Sequence, residues 1–233
     1  MERIDKVNGT FGKRPSEQKS NISSAVIKRL PRYHRYLGDL LRADKLRTSS
    51  SELAEIMGVT ASQIRQDLNC FGGFGQQGYG YNIRFLYTKI SELLGVSDGY
   101  NAVIIGAGNL GKALAATHMF ERRGVNRIAM FDVDPSIVGT KIYGVPVYAI
   151  EDLGDFCKNN SVSIAVLTVP KEAAYAVALV AAESGVKGIW NYANMELKLD
   201  NPEVIVENIH LGDSLMTLCY KIKTANEKRE NND

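Results

Sequence analysis

The sequence predicts an α/β protein in two parts, an N-terminal winged-helix domain followed by a C-terminal Rossmann-type doubly wound parallel sheet. Three observations predict it. Two short amphipathic segments flank the turn Gly58-Val59 and read as a helix-turn-helix. The stretch after them, with five glycines among aromatics between residues 72 and 80, reads as a β-hairpin wing. From residue 101 onward, apolar strand-like runs alternate with helical ones, and the first run is followed by Gly106-Ala-Gly-Asn-Leu-Gly111. Such alternation implies a parallel sheet covered by helices on both faces.

The boundaries follow from composition. Residues 1–22 are polar, with scattered Gly, Ser, Asn and Lys, and predict a mobile arm. Residues 23–95 form the winged-helix domain, 96–208 the Rossmann domain, and 209–233 a C-terminal helix and charged tail. Hydrophobic content of 45% is that of a protein with a real core. No run approaches the roughly 18 apolar residues of a membrane span, and the N-terminus lacks the apolar core of a secretory signal. A soluble, cytoplasmic protein without a membrane partner is expected. Cys70, Cys157 and Cys219 are odd in number and far apart. They suggest neither a disulfide framework nor a metal site. Cys70 reads more as a small semi-buried apolar residue than as a redox thiol.

Pro31 fits the first turn of a helix, and Tyr33, Tyr36, Leu37, Leu40 and Leu41 continue it at helical spacing to about Arg42. Thr48–Met57 and Thr60–Phe71 are the two helices of the helix-turn-helix. Each opens on a capping box, Ser49-x-x-Glu52 and Thr60-x-x-Gln63. Leu53, Ile56 and Met57 face inward from the first, Ile64 and Leu68 from the second. Ser62, Arg65, Gln66 and Asn69, with Gln63 beside them, are left as candidates to read a major groove. Arginine forks onto guanine and glutamine onto adenine. Gln76, Gln77 and Tyr79 of the wing are candidate contacts to phosphate or a minor groove, positioning the protein more than selecting sequence. Charge agrees: residues 1–100 carry fifteen Lys and Arg against ten Asp and Glu, a balance of +5, while the remainder carries thirteen against sixteen, a balance of −3. Most of the excess lies in Lys28, Arg29, Arg32, Arg35, Arg42, Lys45 and Arg47, as phosphate neutralisation requires. Ile83–Leu94 completes the domain as a helix.

In the second domain, strands are expected at 101–105, 127–132, 146–149, 163–169 and 188–191. Helices are expected from the glycine motif to about Arg123, at 150–159, at 171–184 and at 210–223. A bare G-x-G-x-x-G is a weak signal, but this one follows a buried strand, opens a helix and precedes Asp132 at the end of the next strand. That aspartate lies 132 − 111 = 21 residues after the last glycine. Gly106, Ala107, Gly108, Asn109, Leu110 and Gly111 are candidate phosphate contacts. Asp132 can accept both ribose hydroxyls and repels a 2′-phosphate, which favours NAD over NADP. Thr168, Val169, Pro170 and Asn191 end later strands at the same edge and are candidates for the nicotinamide end.

Hydride-transfer chemistry lacks an evident proton donor. None of His34, His118 and His210 falls at a predicted strand end, and no tyrosine has a lysine four residues later. A domain that binds NAD or NADH without acid–base groups reads as a reporter, not an enzyme. Two alternatives stay open: an NAD-dependent dehydrogenase fused to a helical module, and a repressor whose Rossmann domain takes another nucleotide or coenzyme A.

Lys28-Arg-Leu-Pro-Arg-Tyr, Ser62-Gln-Ile-Arg-Gln-Asp-Leu, Gly78-Tyr-Gly-Tyr-Asn, Gly106-x-Gly-Asn-Leu-Gly and Phe131-Asp-Val-Asp-Pro together resemble the Rex family of redox-sensing transcriptional repressors. The resemblance spans about Asn21 to Ile222. It implies a homodimer that binds an inverted-repeat operator in double-stranded DNA when NADH is scarce and releases it when NADH binds. It also implies that the last helix is exchanged between subunits, with His210 and Leu211 near the partner's nicotinamide pocket and Arg29 near the hinge. The chain departs from the family at Gln66, Gln76 and Gln77, where many members are basic. That implies weaker phosphate attraction or a shifted operator preference. Some members are acidic where this chain has His210, so a carboxylate–arginine switch with Arg29 is not implied.

Overall fold

A computed structural model describes residues 23–70, 75–76 and 80–230, and the chain divides into two compact units, residues 1–95 and 96–233. The expected arm at 1–22 lies outside the described residues.

The first unit opens with α1 (Ser24–Arg42), whose N-cap Ser23 accepts the Val26 N–H on its hydroxyl. Pro31 therefore lies inside the helix and not in its first turn. Val26, Leu30, Tyr33 and Leu37 form one buried face that runs across the proline. That burial outweighs the missing N–H. Then come β1 (Arg47–Thr48), α2 (Ser50–Met57), α3 (Ala61–Asn69), β2 (Gly75–Gln76), β3 (Gly80–Asn82) and α4 (Ile83–Leu93). The strands form an antiparallel sheet in the order β1-β3-β2, so the expected wing gains a third strand too short for sequence periodicity to show. Tyr33, Leu37, Leu53, Ile64, Leu68, Ile83, Leu86 and Ile90 make the core, all fully buried. Ile56, expected inside, is 38% exposed, and Ala54 takes the inward place on α2.

The second unit contains β4 (Tyr100–Ile105), α5 (Asn109–Ala116), β5 (Val125–Asp132), β6 (Lys141–Ile142), β7 (Val145–Ala149), α6 (Leu153–Asn159), β8 (Val162–Leu167), α7 (Lys171–Glu183), β9 (Gly188–Asn191), β10 (Ile205–Asn208) and α8 (Leu211–Glu230). The sheet order is β10-β9-β8-β4-β5-β7-β6, parallel throughout except the β6–β7 hairpin. Its first strand, β4, lies between β5 and β8, so the winding reverses there. This is the topological switch point, where ligands of such sheets bind at the carboxyl ends of the strands. Alternate residues feed two cores: Val103, Ile105, Phe131 and Leu167 on one face, Ile104, Met130 and Val166 on the other.

Four elements differ from expectation, the first being β6, whose two residues are too few for alternation to show. The helix after the glycine loop stops at Ala116, not near Arg123, and a separate turn of 3-10 helix covers Glu121–Arg123. Arg127 bonds the Ala115 carbonyl and Glu121 and lies over the Phe120 ring, bracing that break. Strand β10 was not expected, because its exposed Ile205 and Glu207 blur the apolar pattern of an edge strand. Helix α8 runs to Glu230, since its charged end is made of good helix formers that need no burial.

The two isoleucines of the helix-turn-helix separate burial from mere apolarity. Ile64→Ala should destabilise the first unit by about 2–5 kcal/mol, while Ile56→Ala should cost less than about 1 kcal/mol. Urea midpoints measure both, and equal shifts would contradict the packing described.

Candidate functional site

The carboxyl edge of the second unit is built around a very close approach. Gly106, after β4, has φ +97°, and a Cβ there would sit 2.7 Å from the Thr168 carbonyl oxygen. At Gly111, in the first turn of α5, a Cβ would stand 2.0 Å from the Gly106 carbonyl oxygen and 2.9 Å from Thr168 Oγ1. The Thr168 hydroxyl lies 2.7 Å from the Gly106 oxygen and 3.0 Å from that of Ile105, and donates into this pair. By contrast nothing lies within 4 Å of a Cβ placed on Gly108, the N-cap of α5, which has no side chain to cap the helix. Gly108 and Asn109 are exposed, so α5 begins at the surface without a side-chain cap on its first-turn N–H groups, the arrangement that binds phosphate.

Asp132 ends β5 beside this loop. Its Oδ2 accepts the Ala107 N–H at 2.5 Å and its Oδ1 the Asp134 N–H at 3.0 Å. Each oxygen keeps a further lone pair for a ribose hydroxyl. Thr168 and Val169 are half-buried, and exposed Pro170 is the N-cap of α7. Asn191 requires a correction: it is fully buried and its amide is engaged. Nδ2 donates to the Met195 carbonyl (3.0 Å) and Asn208 Oδ1 (2.8 Å), and Oδ1 accepts the Ala193 N–H (3.0 Å). Asn191 holds the loop after β9; its partner Asn208 comes from β10, the strand that sequence periodicity hid.

On α3, Ser62, Arg65, Gln66 and Asn69 are exposed on one side. Exposed Arg65 rests its Nη1 on Oγ of half-buried Ser50 at 3.1 Å. The capping box of α2 closes by half: the Glu52 N–H meets Ser49 Oγ, but the Glu52 carboxylate takes Lys45 Nζ and Thr48 Oγ1. That of α3 also closes by half. The Gln63 N–H meets Thr60 Oγ1, but its side chain turns one helical turn onward, donating to Asp67 Oδ1 at 2.8 Å. Gln63 thus departs from the expected reading stripe. Gln76 pairs with Gly80 in the wing ladder, while its side chain, Gln77 and Tyr79 lie outside the described residues.

Much of the expected phosphate-binding charge is already engaged. Arg29 pairs with Asp67, Arg42 with Asp39 and Lys45 with Glu52. Arg32 donates to the Met57 carbonyl at 2.7 Å, and Arg35 lies over the Tyr36 ring at 5.1 Å. Sequence reasoning missed Asp67, a carboxylate only 1% exposed within the reading helix. The signal available was an acidic residue at an inward position of α3, one turn after a glutamine. His210 was expected away from any strand end, but β10 places it two residues beyond one, with Nε2 3.1 Å from Glu196 Oε2. Leu211 begins α8, on which Leu211, Leu215, Leu218 and Ile222 are each more than half exposed.

Known proteins share this arrangement. Residues 21–69 match the family model described as a putative DNA-binding protein N-terminus, and residues 97–195 that of a CoA binding domain. The redox-sensing transcriptional repressor Rex of Clostridioides difficile (strain 630) is 53% identical over 203 residues, covering 87% of this chain and 96% of the relative. That of Clostridium botulinum (strain Alaska E43 / Type E3) is 50% identical over 206 residues, covering 88% and 98%. Among solved structures, the Rex-family repressor RSP in complex with β-NAD+ and operator DNA is 49% identical, with a TM-score of 0.83 over 91% of this chain and 97% of that one. RSP in complex with β-NADH is 46% identical, with a TM-score of 0.82 over 91% and 99%. With about half of the aligned residues identical to these repressors across nearly their whole length, the chain belongs to the Rex family of redox-sensing transcriptional repressors.

Proposed function

We propose that this chain acts in the cytoplasm as a homodimeric, NADH-responsive repressor. It binds an inverted-repeat operator when NADH is scarce and lets go when NADH fills the Rossmann site. The observation that carries the reading is the Asp132 carboxylate held on the Ala107 N–H beside the open N-terminus of α5. Phosphates meet the N–H groups of the loop from Gly106 to Gly111, and the ribose diol meets Asp132. Thr168, Val169 and Pro170 line the nicotinamide end. Asn191 contributes by holding its loop and not through its amide. RSP, which binds NADH, NAD+ and operator DNA, supports this assignment.

On the DNA side, Ser62, Arg65, Gln66 and Asn69 read bases, and Gln76, Gln77 and Tyr79 of the wing meet the backbone. A second copy covers the apolar stripe of α8, and Leu211 belongs to that interface. Arg29 and His210 do not form an ion-pair switch of the carboxylate–arginine kind, since Arg29 is held by Asp67 and His210 carries no carboxylate. NADH acts as a ligand and is not consumed, so its absorbance should stay constant on incubation with the protein. The CoA-binding description supports a second reading. Coenzyme A carries a phosphate on its adenosine ribose, however, and the charge of Asp132 repels it. Coenzyme A added to the operator complex should leave it intact.

Titrating the operator complex with NADH and NAD+ side by side tests the switch. Asp132→Ala removes the ribose acceptors and leaves the DNA-binding unit unchanged. The variant should still bind operator, but release should need about tenfold more NADH, about 1.4 kcal/mol. Release at the wild-type NADH concentration would remove Asp132 from the site. Arg65→Ala should lose about 1–3 kcal/mol of discrimination between operator and single-base variants. Its NADH affinity should be unchanged. Undiminished discrimination would exclude Arg65 as a base reader.

A further inference from the structure

The Asp67 carboxylate is saturated. Oδ1 accepts Arg29 Nη2 (2.8 Å) and Gln63 Nε2 (2.8 Å), while Oδ2 accepts Arg29 Nε (2.6 Å) and Tyr33 Oη (2.8 Å). Two donors on each oxygen fill the accepting capacity of a carboxylate. The Arg29 contact is a bidentate fork, whose planar geometry fixes direction as well as distance. Three of these four bonds come from α1 and one from α3 itself. Tyr33 is fully buried and Arg29 one quarter exposed, so little water competes for the cluster. Burial alone pushes the Asp67 carboxyl up, but the donors from Arg29, Tyr33 and Gln63 outweigh it and hold the group below the ordinary carboxylate range. The charge is therefore present at neutral pH, and the fork is an ion pair.

The apolar contacts of α3, chiefly Ile64 and Leu68, fix its depth on the core but tolerate small rotations about its axis. A saturated buried carboxylate does not: turning α3 would strand a buried charge, a costly state. Gln63 is drawn into the same cluster. Reading adenine uses the amide nitrogen and oxygen together, and here the nitrogen is held by Asp67. We propose that Asp67 is the positioning residue of the reading helix. It sets the rotation of α3 on α1 and withdraws Gln63 from base reading, leaving Ser62, Arg65, Gln66 and Asn69 aimed at the groove. The inference rests on α3 being the helix that reads DNA, as proposed above.

The test uses the full chain, a duplex selected by the wild-type protein from a randomised pool, and all single-base-pair variants of that duplex. Gln63→Ala should leave discrimination at every position within about twofold of wild type, because its amide is turned onto the buried Asp67 carboxylate and not toward the groove. Asp67→Asn keeps the size but turns amide hydrogens toward Arg29 and Tyr33. Discrimination should fall about tenfold or more at the base pairs read by Arg65 or Asn69, with NADH affinity unchanged. Arg29→Lys keeps the charge and loses the fork; it should relax the same positions and serves if Asp67→Asn does not fold. Loss of discrimination in Gln63→Ala would make Gln63 a reader and overturn the proposal. So would Asp67→Asn or Arg29→Lys weakening all duplexes equally with selectivity intact, which is the mark of stability alone. Ser62→Ala, Arg65→Ala, Gln66→Ala and Asn69→Ala run alongside separate the two levels: intact discrimination in all four would refute α3 as the reading helix, whatever Asp67 does.

Discussion

The approach of Gly111 to the Gly106 carbonyl governs the second unit. A methyl group at Gly111 would stand 2.0 Å from that oxygen, so β4, β8 and α5 can meet only if the helix begins without a side chain there. Once they meet, the Thr168 hydroxyl reaches the same carbonyl and Asp132 reaches the Ala107 N–H. The phosphate cradle is therefore built by the protein's own hydrogen bonds, and little loop ordering is left for a dinucleotide to drive. Pre-organisation of this kind preserves affinity. It also restricts how a ligand can signal. A ligand shifts an equilibrium only by its differential affinity for two states, so a cradle already formed must be coupled to a change elsewhere in the assembly.

The DNA-binding unit shows a different economy of charge. Its sequence carries a marked basic excess, yet Arg29, Arg32, Arg35, Arg42 and Lys45 all have partners within the unit. Cations already paired contribute less counterion release than a count of Lys and Arg suggests. The glutamines at 66, 76 and 77 act in the same direction. In the reading proposed above, specific affinity then leans on base contacts from α3, whose aim depends on what holds that helix still. A buried ion pair is a poor source of net stability, but it tolerates one geometry only. That property suits a reading helix better than a larger apolar contact would.

Much of this was legible in the sequence, for local reasons. Alternating strand and helix patterns, the glycine spacing and an aspartate at the next strand end are local signals, and they located the glycine turn after β4 and Asp132 at the end of β5. The helix-turn-helix was legible because its caps and apolar spacing are local too. What escaped depends on distant partners. Asn191 stands at a strand end like Thr168, but Asn208 from β10 claims its amide. Gln63 completes a capping-box pattern, but Asp67, packed against α1, claims its side chain. Pro31 looks like a helix start until the buried face on both sides of it is seen. Strands β1 and β6 have two residues each, below the length at which alternation carries information.

Helix α8 completes the picture by what it lacks. Leu211, Leu215, Leu218 and Ile222 repeat at three- and four-residue spacing, and each is more than half exposed in the single chain. Most helical stability in proteins comes from packing an apolar face, and in this helix of 20 residues that face is left exposed. A contiguous apolar stripe on a soluble domain marks an interaction surface. Each unit otherwise satisfies its own polar groups: among the described residues no buried side-chain nitrogen or oxygen lacks a partner. The pairs Arg29–Asp67 and His210–Glu196 are likewise internal to their units. In the homodimer proposed above, the surface that covers α8 is available to link nucleotide and DNA, whereas the saturated Asp67 carboxylate has no bond to spare for it.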